Sequence, residues 1–353
     1  MNKRVVIAMS GGVDSAGAAM LLKNAGYAVS GVTLQLHHGN DLPDGSGLSE
    51  EAAAAQKTAA AIGIGHTVLD RCALFRETVM ERFAAEYAAG RTPNPCIDCN
   101  REIKFGTLLD WALEQGYDYL ATGHYARVRF DENSGRWLLL RGRDRRKDQS
   151  YMLYQLRQEQ LRHILLPVGE YEKPAIRALA AESGLSNADR PDSQDICFIP
   201  DGDYMKFLQE ACGISPEPGL FVDESGRELG PHKGQEYYTI GQRKGLGVSA
   251  AAPLYVIRKD VERGQVVLGA NASLFSRELT AERVNLISIP ELTGPMRVTA
   301  KTRYSQNEAA GTLEPLADGR VRMVFDEPQR AITPGQAVVF YDDERVVGGG
   351  TIQ

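Results

Sequence analysis

The amino-acid sequence predicts an α/β protein in which a doubly wound parallel sheet is followed by a small β-rich central domain and a C-terminal β-barrel. Apolar runs alternate with Ala-rich helical segments from the N-terminus to about residue 122, which is typical of a parallel sheet. After Pro218 the chain changes to short β-rich runs separated by glycines. Since 353 residues exceed the usual size of a single core, we expect three domains, 1–201, 202–277 and 278–353.

The parallel sheet is predicted from its connections. A strand over 3–9 enters a Gly-rich turn and the helix 16–24, and a strand over 27–36 completes a βαβ unit. The pattern repeats, with helices over 50–62, 75–87 and 105–114 and strands over 66–69 and 119–122. Further along, the sequence predicts a helix from Pro174 to about 184, a loop over 189–195, the apolar triplet 196–198 and an amphipathic helix between 201 and 212.

The two following domains are predicted to be mostly β. In the central domain, strands are expected over 236–240, 254–258 and 265–268. In the last domain, strands are expected over 298–303, 309–313, 320–325, 337–341 and 346–352, which indicates a barrel or sandwich.

The composition favours a protein of a reducing compartment. No stretch reaches the roughly 18 apolar residues that a membrane span needs, so we expect a cytoplasmic protein with no membrane partner. Five cysteines fit this better than a disulfide scaffold, and Cys72 and Cys212, which lie in no motif, are interpreted as buried filler. The net charge of −6 does not favour nucleic-acid binding, so any RNA contact needs local patches such as the basic run 141–147.

The strongest local motif is the glycine turn, residues 10–15, which reads Ser-Gly-Gly-Val-Asp-Ser between a predicted strand and helix. Free amide groups and the helix dipole favour an anion there, and glycines let the backbone close around phosphate oxygens. The turn lacks the lysine of the Walker sequence, so Ser10 and Ser15 are expected to bind phosphate, with Asp14 helping to hold Mg²⁺. The alternative is an ordinary turn before a helix.

Two further motifs contain cysteine. Residues 91–100 read Arg-Thr-Pro-Asn-Pro-Cys-Ile-Asp-Cys-Asn, and residues 192–198 read Asp-Ser-Gln-Asp-Ile-Cys-Phe. Two prolines fix the backbone of the first motif, so we expect them to present Cys96 and Cys99 outward. A cysteine reacts through its thiolate and needs exposure and positive neighbours. The available cations are Arg101, Lys104 and Arg190.

The glycine turn resembles the PP-loop of the ATP pyrophosphatases, which cleave ATP between its α and β phosphates and so adenylate an oxygen. With this turn and both cysteine motifs in the same order, the chain resembles the bacterial tRNA-specific 2-thiouridylases over almost all of its 353 residues. Further matches lie at 121–125, 147–151, 238–243, 303–304 and Gln336. The resemblance implies a PP-loop catalytic domain and a C-terminal barrel that contacts tRNA.

The resemblance also implies a set of site residues. ATP, which is used together with Mg²⁺, would be held at Ala8, Met9, Ser10, Gly11, Gly12, Val13, Asp14, Ser15, Leu34 and Gly123. The target base would lie against Asn94, Pro95 and Cys96. The tRNA would be contacted by His124, Lys147, Asp148, Gln149, Arg303, Tyr304 and Gln336.

The family's chemistry implies roles for two cysteines. The position of Cys99 is the nucleophile and that of Cys197 carries a persulfide, with a transient disulfide between them. The reaction implied is adenylation of the 2-oxygen of the wobble uridine and its replacement by sulfur, in the tRNAs for Lys, Glu and Gln. A cysteine desulfurase, acting directly or through a relay protein, would supply the sulfur. Direct attack by the persulfide and prior release of hydrosulfide both remain open.

Three alternatives remain open at this stage. The PP-loop is shared with synthetases that amidate a small carboxylate. A metal-binding RNA adaptor would use the C-x-x-C motif for zinc, although a single such motif is weak. Related tRNA thiolases bind a [4Fe-4S] cluster, and Cys96, Cys99 and Cys197 would be its ligands here. Some relatives carry Asp where this chain has Cys96, so the base role considered for that carboxylate is not assigned.

Overall fold

The computed structural model describes residues 2–37, 47–183, 185 and 196–353. The strands of the first domain are β1 Arg4–Ala8, β2 Ala28–Gln35, β3 Gly65–Asp70, β4 Tyr119–Ala121, β5 Ala126–Asp131, β6 Arg136–Arg141 and β7 Ile164–Leu165. All except β5 and β6 form one parallel sheet in the order β3-β2-β1-β4-β7. The chain winds from β1 to β3 on one side and returns to β4 on the other. This confirms the doubly wound sheet, and its topological switch point, where such sheets bind ligands, lies between β1 and β4.

The helices of the described ranges are α1 Val13–Asn24, α2 Glu50–Ile62, α3 Cys72–Phe75, α4 Glu81–Ala88, α5 Pro95–Asp98, α6 Leu108–Glu114, α7 Gln158–Leu161, α8 Lys173–Glu182 and α9 Tyr204–Glu210. π-Helical segments join α3 to α4 and α5 to α6, and they cover Arg76–Met80 and Cys99–Thr107. Helix α2 matches the predicted 50–62, because Ser49 accepts a hydrogen bond from the Ala52 amide and Gly63 ends the helix with a φ of +73°. Among these helices none is both long and apolar enough to cross a lipid bilayer. The predicted loop 189–195 lies outside the described residues.

The central domain contains a four-stranded sheet in the order β10-β11-β8-β9. Its strands are β8 Gly219–Val222, β9 Glu228–His232, β10 Tyr255–Asp260 and β11 Gln265–Gly269. The predicted strand over 236–240 is wrong, because Gly234 has a φ of +133° and a 3-10 turn follows at Gln235–Tyr237. Tyr238 is buried against the ring of Phe221, so the apolar character of this stretch serves the core without forming a strand.

The C-terminal domain is a closed barrel, as predicted. Its strands are β12 Phe275–Leu286, β13 Met296–Lys301, β14 Ala309–Pro315, β15 Val321–Arg330, β16 Ala337–Asp342 and β17 Arg345–Ile352. Strand β12 pairs with both β15 and β17, which closes six strands into a ring around buried Met323, Phe325 and Phe340. Strand β12 was not predicted, because register shifts and a positive φ at Arg283 interrupt its alternation.

The β5–β6 hairpin joins the first domain to the barrel. Leu140 on β6 pairs with Arg345 on β17, so the hairpin extends the barrel sheet. Arg141 is buried, lies 3.7 Å above the ring of Tyr341 and forms an ion pair with Glu308. The basic run 141–147 therefore begins with an internal contact, and two more of its side chains, Arg145 and Arg146, pair with Glu344 and Asp144.

A barrel turn holds the Pro-rich segment of the first domain. The Thr92 amide donates to the Pro334 carbonyl at 3.0 Å, and Gln336 Nε2 donates to the Thr92 carbonyl at 2.7 Å. A Cβ on Gly335 would lie 2.8 Å from that of Arg91 and 2.9 Å from the Thr92 nitrogen. We call this contact of residues 334–336 with residues 91–93 the barrel clasp.

We predict that Gly335→Ala weakens the barrel clasp. The alanine must adopt the φ of +89° that Gly335 has, and its methyl group must displace the Thr92 backbone. The free energy of unfolding should therefore fall by about 2–5 kcal/mol. Gly319→Ala is the matched control, since its φ is +80° but nothing lies within 4 Å of the added carbon. It should cost only about 1–2 kcal/mol. Urea denaturation measures the difference, and equal midpoints for the two variants would contradict a packing constraint at Gly335.

Candidate active site

The glycine turn follows β1 and opens α1. Gly12 is the N-cap residue, and no described side chain forms a capping hydrogen bond to the first turn of the helix. Gly11 has a φ of +73°, and a Cβ there would lie 2.9 Å from that of Ala54. Ser15 Oγ donates to the Gly12 carbonyl at 3.1 Å and accepts from the Ser10 amide at 3.4 Å. The uncapped helix start and the hydroxyls fit the phosphate groups of ATP.

The segment after β4 lies directly against this turn. A Cβ on Gly123 would be 2.8 Å from the Ser15 amide nitrogen and 2.9 Å from the Asp14 carbonyl carbon, so a side chain at this position would collide with the turn. Leu34 is half-buried on the neighbouring strand β2. The structure therefore places the turn residues and Gly123 together at the switch point, with Leu34 one strand away.

The Asp14 carboxylate is engaged within the protein. Lys173 Nζ lies 2.7 Å from both carboxylate oxygens, and the Tyr125 hydroxyl donates to Oδ1 at 2.8 Å. Lys173 is only 5% exposed, so water screens this ion pair weakly. Asp14 was predicted to help hold Mg²⁺, whereas Lys173 was not predicted as a site residue. The available signal was a lysine directly before Pro174 at a helix start, where the helix dipole disfavours a cation.

Cys99 begins the π-helical segment Cys99–Thr107 and is 7% exposed. It packs in an apolar cluster with Phe75, Val79 and Ile103, and Phe198 packs against the same cluster. Because Phe198 follows Cys197 in the chain, this contact brings the two predicted reactive cysteines into one neighbourhood.

The expectation that the prolines present both cysteines outward is wrong for Cys99. Pro95 starts helix α5, and Asn94 caps it by accepting a hydrogen bond from the Cys96 amide at 3.2 Å. Cys96 lies in the first turn and is exposed, whereas Cys99 lies at the end of the helix and faces the apolar cluster. The prolines therefore start a helix that carries the second cysteine inward.

Burial raises the pKa of the Cys96, Cys99 and Cys197 thiols, and it raises the pKa of Cys197 to about 12. Charge on Cys99 and Cys96 raises the pKa of Cys197 further, because one thiolate disfavours the next. Cys197 is exposed to solvent, yet nearby protein atoms desolvate its thiol; we call the region of Cys96, Cys99 and Cys197 the cysteine recess. All three thiols are therefore protonated at neutral pH in the free protein.

Among the described residues, Lys104 is the cation that acts on all three thiols of the cysteine recess. Its ammonium opposes burial by lowering the pKa of each of the three thiols. In a π-helix, residues five apart lie on successive turns, so Lys104 is one turn from Cys99. Arg101, the neighbouring candidate, instead pairs with Asp98 at 3.0 Å. Arg190 lies outside the described residues.

Two predicted tRNA contacts lie beside the cysteine recess. The His124 ring is 5.8 Å from that of Phe105, which lies on the cysteine-bearing helix. Burial and the Lys104 charge lower the pKa of His124, so its imidazole is neutral. Tyr304 is half-buried, and burial together with the charges of Asp148 and Cys96 raises the pKa of its hydroxyl.

The other predicted tRNA contacts are engaged within the protein. The Asp148 carboxylate is buried and accepts hydrogen bonds of 2.9–3.1 Å from Gly142 and Ser150. Lys147 is half-buried. The side chains of Gln149, Arg303 and Gln336 also form hydrogen bonds within the protein. Contact of these residues with tRNA stays a prediction.

The three cysteines do not form a metal-ligand set in this structure. Within the ranges that are described, no three His, Cys, Asp or Glu side chains are arranged to hold a metal ion. Cys96, Cys99 and Cys197 interact electrostatically, and a [4Fe-4S] cluster bound by them stays a prediction.

Sequence profiles of three domain families match the chain in succession. The family described as the tRNA methyl transferase HUP domain matches residues 3–201. The tRNA methyl transferase PRC-barrel domain matches residues 205–270, and the aminomethyltransferase beta-barrel domain matches residues 276–352.

Proteins with known names match over the whole chain. The tRNA-specific 2-thiouridylase MnmA of Acetivibrio thermocellus is 50% identical, with 99% of each chain covered. The proteins of the same name from Moorella thermoacetica and Clostridioides difficile are 51% and 48% identical, with at least 99% of each chain covered.

The raised thiol pKa values predict slow alkylation of the free protein. With a pKa of about 12, Cys197 should react little with iodoacetamide at neutral pH, and its rate should still rise at about pH 10. Lys104→Met should slow alkylation of Cys96 and Cys197 by up to about tenfold, because losing the ammonium raises the thiol pKa and one pKa unit changes the thiolate fraction tenfold. Lys57→Met, on the exposed face of α2, is the control. Peptide mass spectrometry gives the rates, and a plateau for Cys197 below about pH 9 would contradict the assignment.

Proposed function

This chain belongs to the tRNA-specific 2-thiouridylase family, and we propose that it uses ATP to replace the 2-oxygen of a tRNA wobble uridine with sulfur. The products are 2-thiouridine, AMP and pyrophosphate. The observation that carries the proposal is the packing of Phe198 on the pocket of Cys99, next to the cation Lys104. It supports an arrangement in which a sulfur-carrying Cys197 and a nucleophilic Cys99 share one recess.

The first step joins the 2-oxygen of uridine to the α phosphorus of ATP with loss of pyrophosphate, because oxide is a poor leaving group. The amides of the glycine turn and the hydroxyls of Ser10 and Ser15 hold phosphate oxygens as negative charge develops. Mg²⁺ bound with the nucleotide supplies charge neutralisation, and Asp14 is the carboxylate at this turn. Gly123 touches the turn and the next residue, His124, touches Phe105, so the glycine turn is linked to the cysteine-bearing helix through two consecutive residues, which supports the proposal.

The second step transfers sulfur from a Cys197 persulfide. Its terminal sulfur attacks C2 of the adenylated uridine, AMP leaves with the former 2-oxygen, and uridine is joined to Cys197 through a disulfide. The Cys99 thiolate then attacks the Cys197 sulfur, which releases 2-thiouridine and leaves a disulfide between the cysteines. In the other route Cys99 attacks the persulfide first and frees hydrosulfide, which attacks C2. A cellular dithiol then reduces the disulfide in either route.

Lys104 supplies the positive charge that both routes need. Each route passes through a sulfur anion, which burial in the cysteine recess disfavours. Arg101 is paired with Asp98, which leaves Lys104 as the cation on the cysteine-bearing helix for this task. Its ammonium stabilises the thiolate of Cys99 at the moment of attack.

The substrate base must leave its stack to reach the recess, which costs least in a single-stranded loop such as an anticodon. In this proposal the base lies against Asn94, Pro95 and Cys96, of which Cys96 is exposed. The two β domains bind the body of the tRNAs for Lys, Glu and Gln. A cysteine desulfurase or a relay protein loads Cys197 in the reducing cytoplasm, where the disulfide is reset.

We predict that Cys99→Ser and Cys197→Ser each lower 2-thiouridine formation by at least about 100-fold while tRNA-dependent release of pyrophosphate from ATP continues. Sulfur transfer needs both thiols, whereas adenylation at the glycine turn needs neither. Cys72→Ser and Cys212→Ser, outside the cysteine recess, are matched controls and should keep activity. Mass analysis of nucleosides after incubation of tRNA with ATP, Mg²⁺ and a persulfide donor measures the product.

The same experiment distinguishes the proposed function from the alternative of an amidating synthetase. If the chain were a synthetase that amidates a small carboxylate, no 2-thiouridine would form and all four variants would behave alike. That outcome would overturn the proposed function.

A further inference from the structure

The glycine turn lacks a lysine of its own, but the fold brings one to it from far along the chain. Lys173 lies 159 residues from Asp14 in sequence, and its Nζ is 2.7 Å from both Asp14 oxygens. Lys173 is buried at 5% exposure, a position that lysine rarely occupies without a specific partner. The ammonium therefore lies at the start of α1, where phosphate groups are expected to bind.

Two helices begin at this place. A Cβ on Gly17 would lie only 2.6 Å from Ile176 Cγ2, so α1 and α8 touch one turn past their starts. Asp14 and Lys173 each precede that contact by three residues, so the N-termini of α1 and α8 lie side by side. Each N-terminus carries a positive partial charge. Two positive helix ends and one ammonium thus face the Asp14 carboxylate.

This arrangement of charges suits a lysine that exchanges the Asp14 carboxylate for a phosphate group. Asp14 already accepts a hydrogen bond from the Tyr125 hydroxyl, so its carboxylate keeps a partner when the ammonium moves. A lysine carries its charge on a flexible four-carbon stem, and Nζ can shift while α8 stays in place. The phosphates of ATP bring more negative charge than a single carboxylate to the same two helix ends.

We propose that Lys173 is a phosphate-binding residue that Asp14 holds in place until ATP arrives. The inference rests on the proposed use of ATP and adds a binding residue to it. On binding, the Lys173 ammonium moves from the Asp14 carboxylate to phosphate oxygens, and Asp14 becomes available to the Mg²⁺ that accompanies the nucleotide. The alternative is a permanent ion pair that only fastens α8 to α1.

Calorimetric titration of ATP and adenosine, without tRNA, distinguishes the two. Lys173→Met should weaken ATP binding about 10- to 100-fold and leave adenosine binding unchanged, because a charge-assisted hydrogen bond to phosphate is lost. Asp14→Asn should bind ATP in Mg²⁺-free buffer at least as tightly as the wild type, since it frees the ammonium. Lys206→Met removes a lysine from another Lys–Asp pair, with Asp201, and is the matched control.

A double variant and thermal unfolding serve as controls for misfolding. Asp14→Asn combined with Lys173→Met leaves no unpaired buried charge, and it should bind ATP as weakly as Lys173→Met alone. Thermal unfolding shows whether each variant is folded. Lys173→Met binding ATP like the wild type, or losing ATP and adenosine alike while folded, would overturn the proposal, as would weaker Mg²⁺-free binding by Asp14→Asn. If the wild type itself binds no ATP, the proposed function fails first.

Discussion

The contact of Phe198 with the aromatic side chains of the α3–α4 helix is the constraint on which the sulfur chemistry depends. The rings of Phe75 and Phe83 each lie 5.6 Å from that of Phe198, in edge-to-face geometry. Phe75 and Phe83 are fully buried, and each such pair contributes about 0.5–1.5 kcal/mol beyond its burial. The position of Cys197 near Cys99 is therefore set by packing and needs no bond between the sulfurs.

Burial and the Lys104 charge act in opposite directions on the cysteine recess. Burial dominates in the free protein, so the thiols stay protonated. Because oxidation of cysteine follows its thiolate fraction, this protects a site that must be open to a large substrate. Burial also lowers the polarity around the thiols, which strengthens the interaction of Lys104 with any sulfur anion that does form. The recess is thus unreactive at rest without losing its capacity for anionic chemistry.

Local signals in the sequence were sufficient for the sheet, the glycine turn and α2. Ser49 and Gly63 mark both ends of α2, and the turn carries its own phosphate-binding pattern. Features that depend on distant contacts were not accessible. The inward position of Cys99 follows from helix packing, and Lys173 meets Asp14 only after 159 residues of intervening chain.

Two further elements, β12 and the turn before Tyr238, were not predicted because their residue patterns do not match the structure that they adopt. Strand β12 was missed because bulges and the positive φ of Arg283 break its alternation, although they let one strand pair on both sides. Tyr238 looked like part of a strand because it is apolar and flanked by β-forming residues, but a 3-10 turn delivers it to the core.

The barrel clasp couples two parts of the molecule that a domain diagram would separate. Gln336 and Pro334 bind the backbone of Thr92, and two residues later Asn94 caps the helix that carries Cys96 and Cys99. A rotation of the barrel therefore cannot leave the start of that helix undisturbed. Strain applied to the outer domain is thereby transmitted to the turn of backbone that positions Cys96 and Cys99.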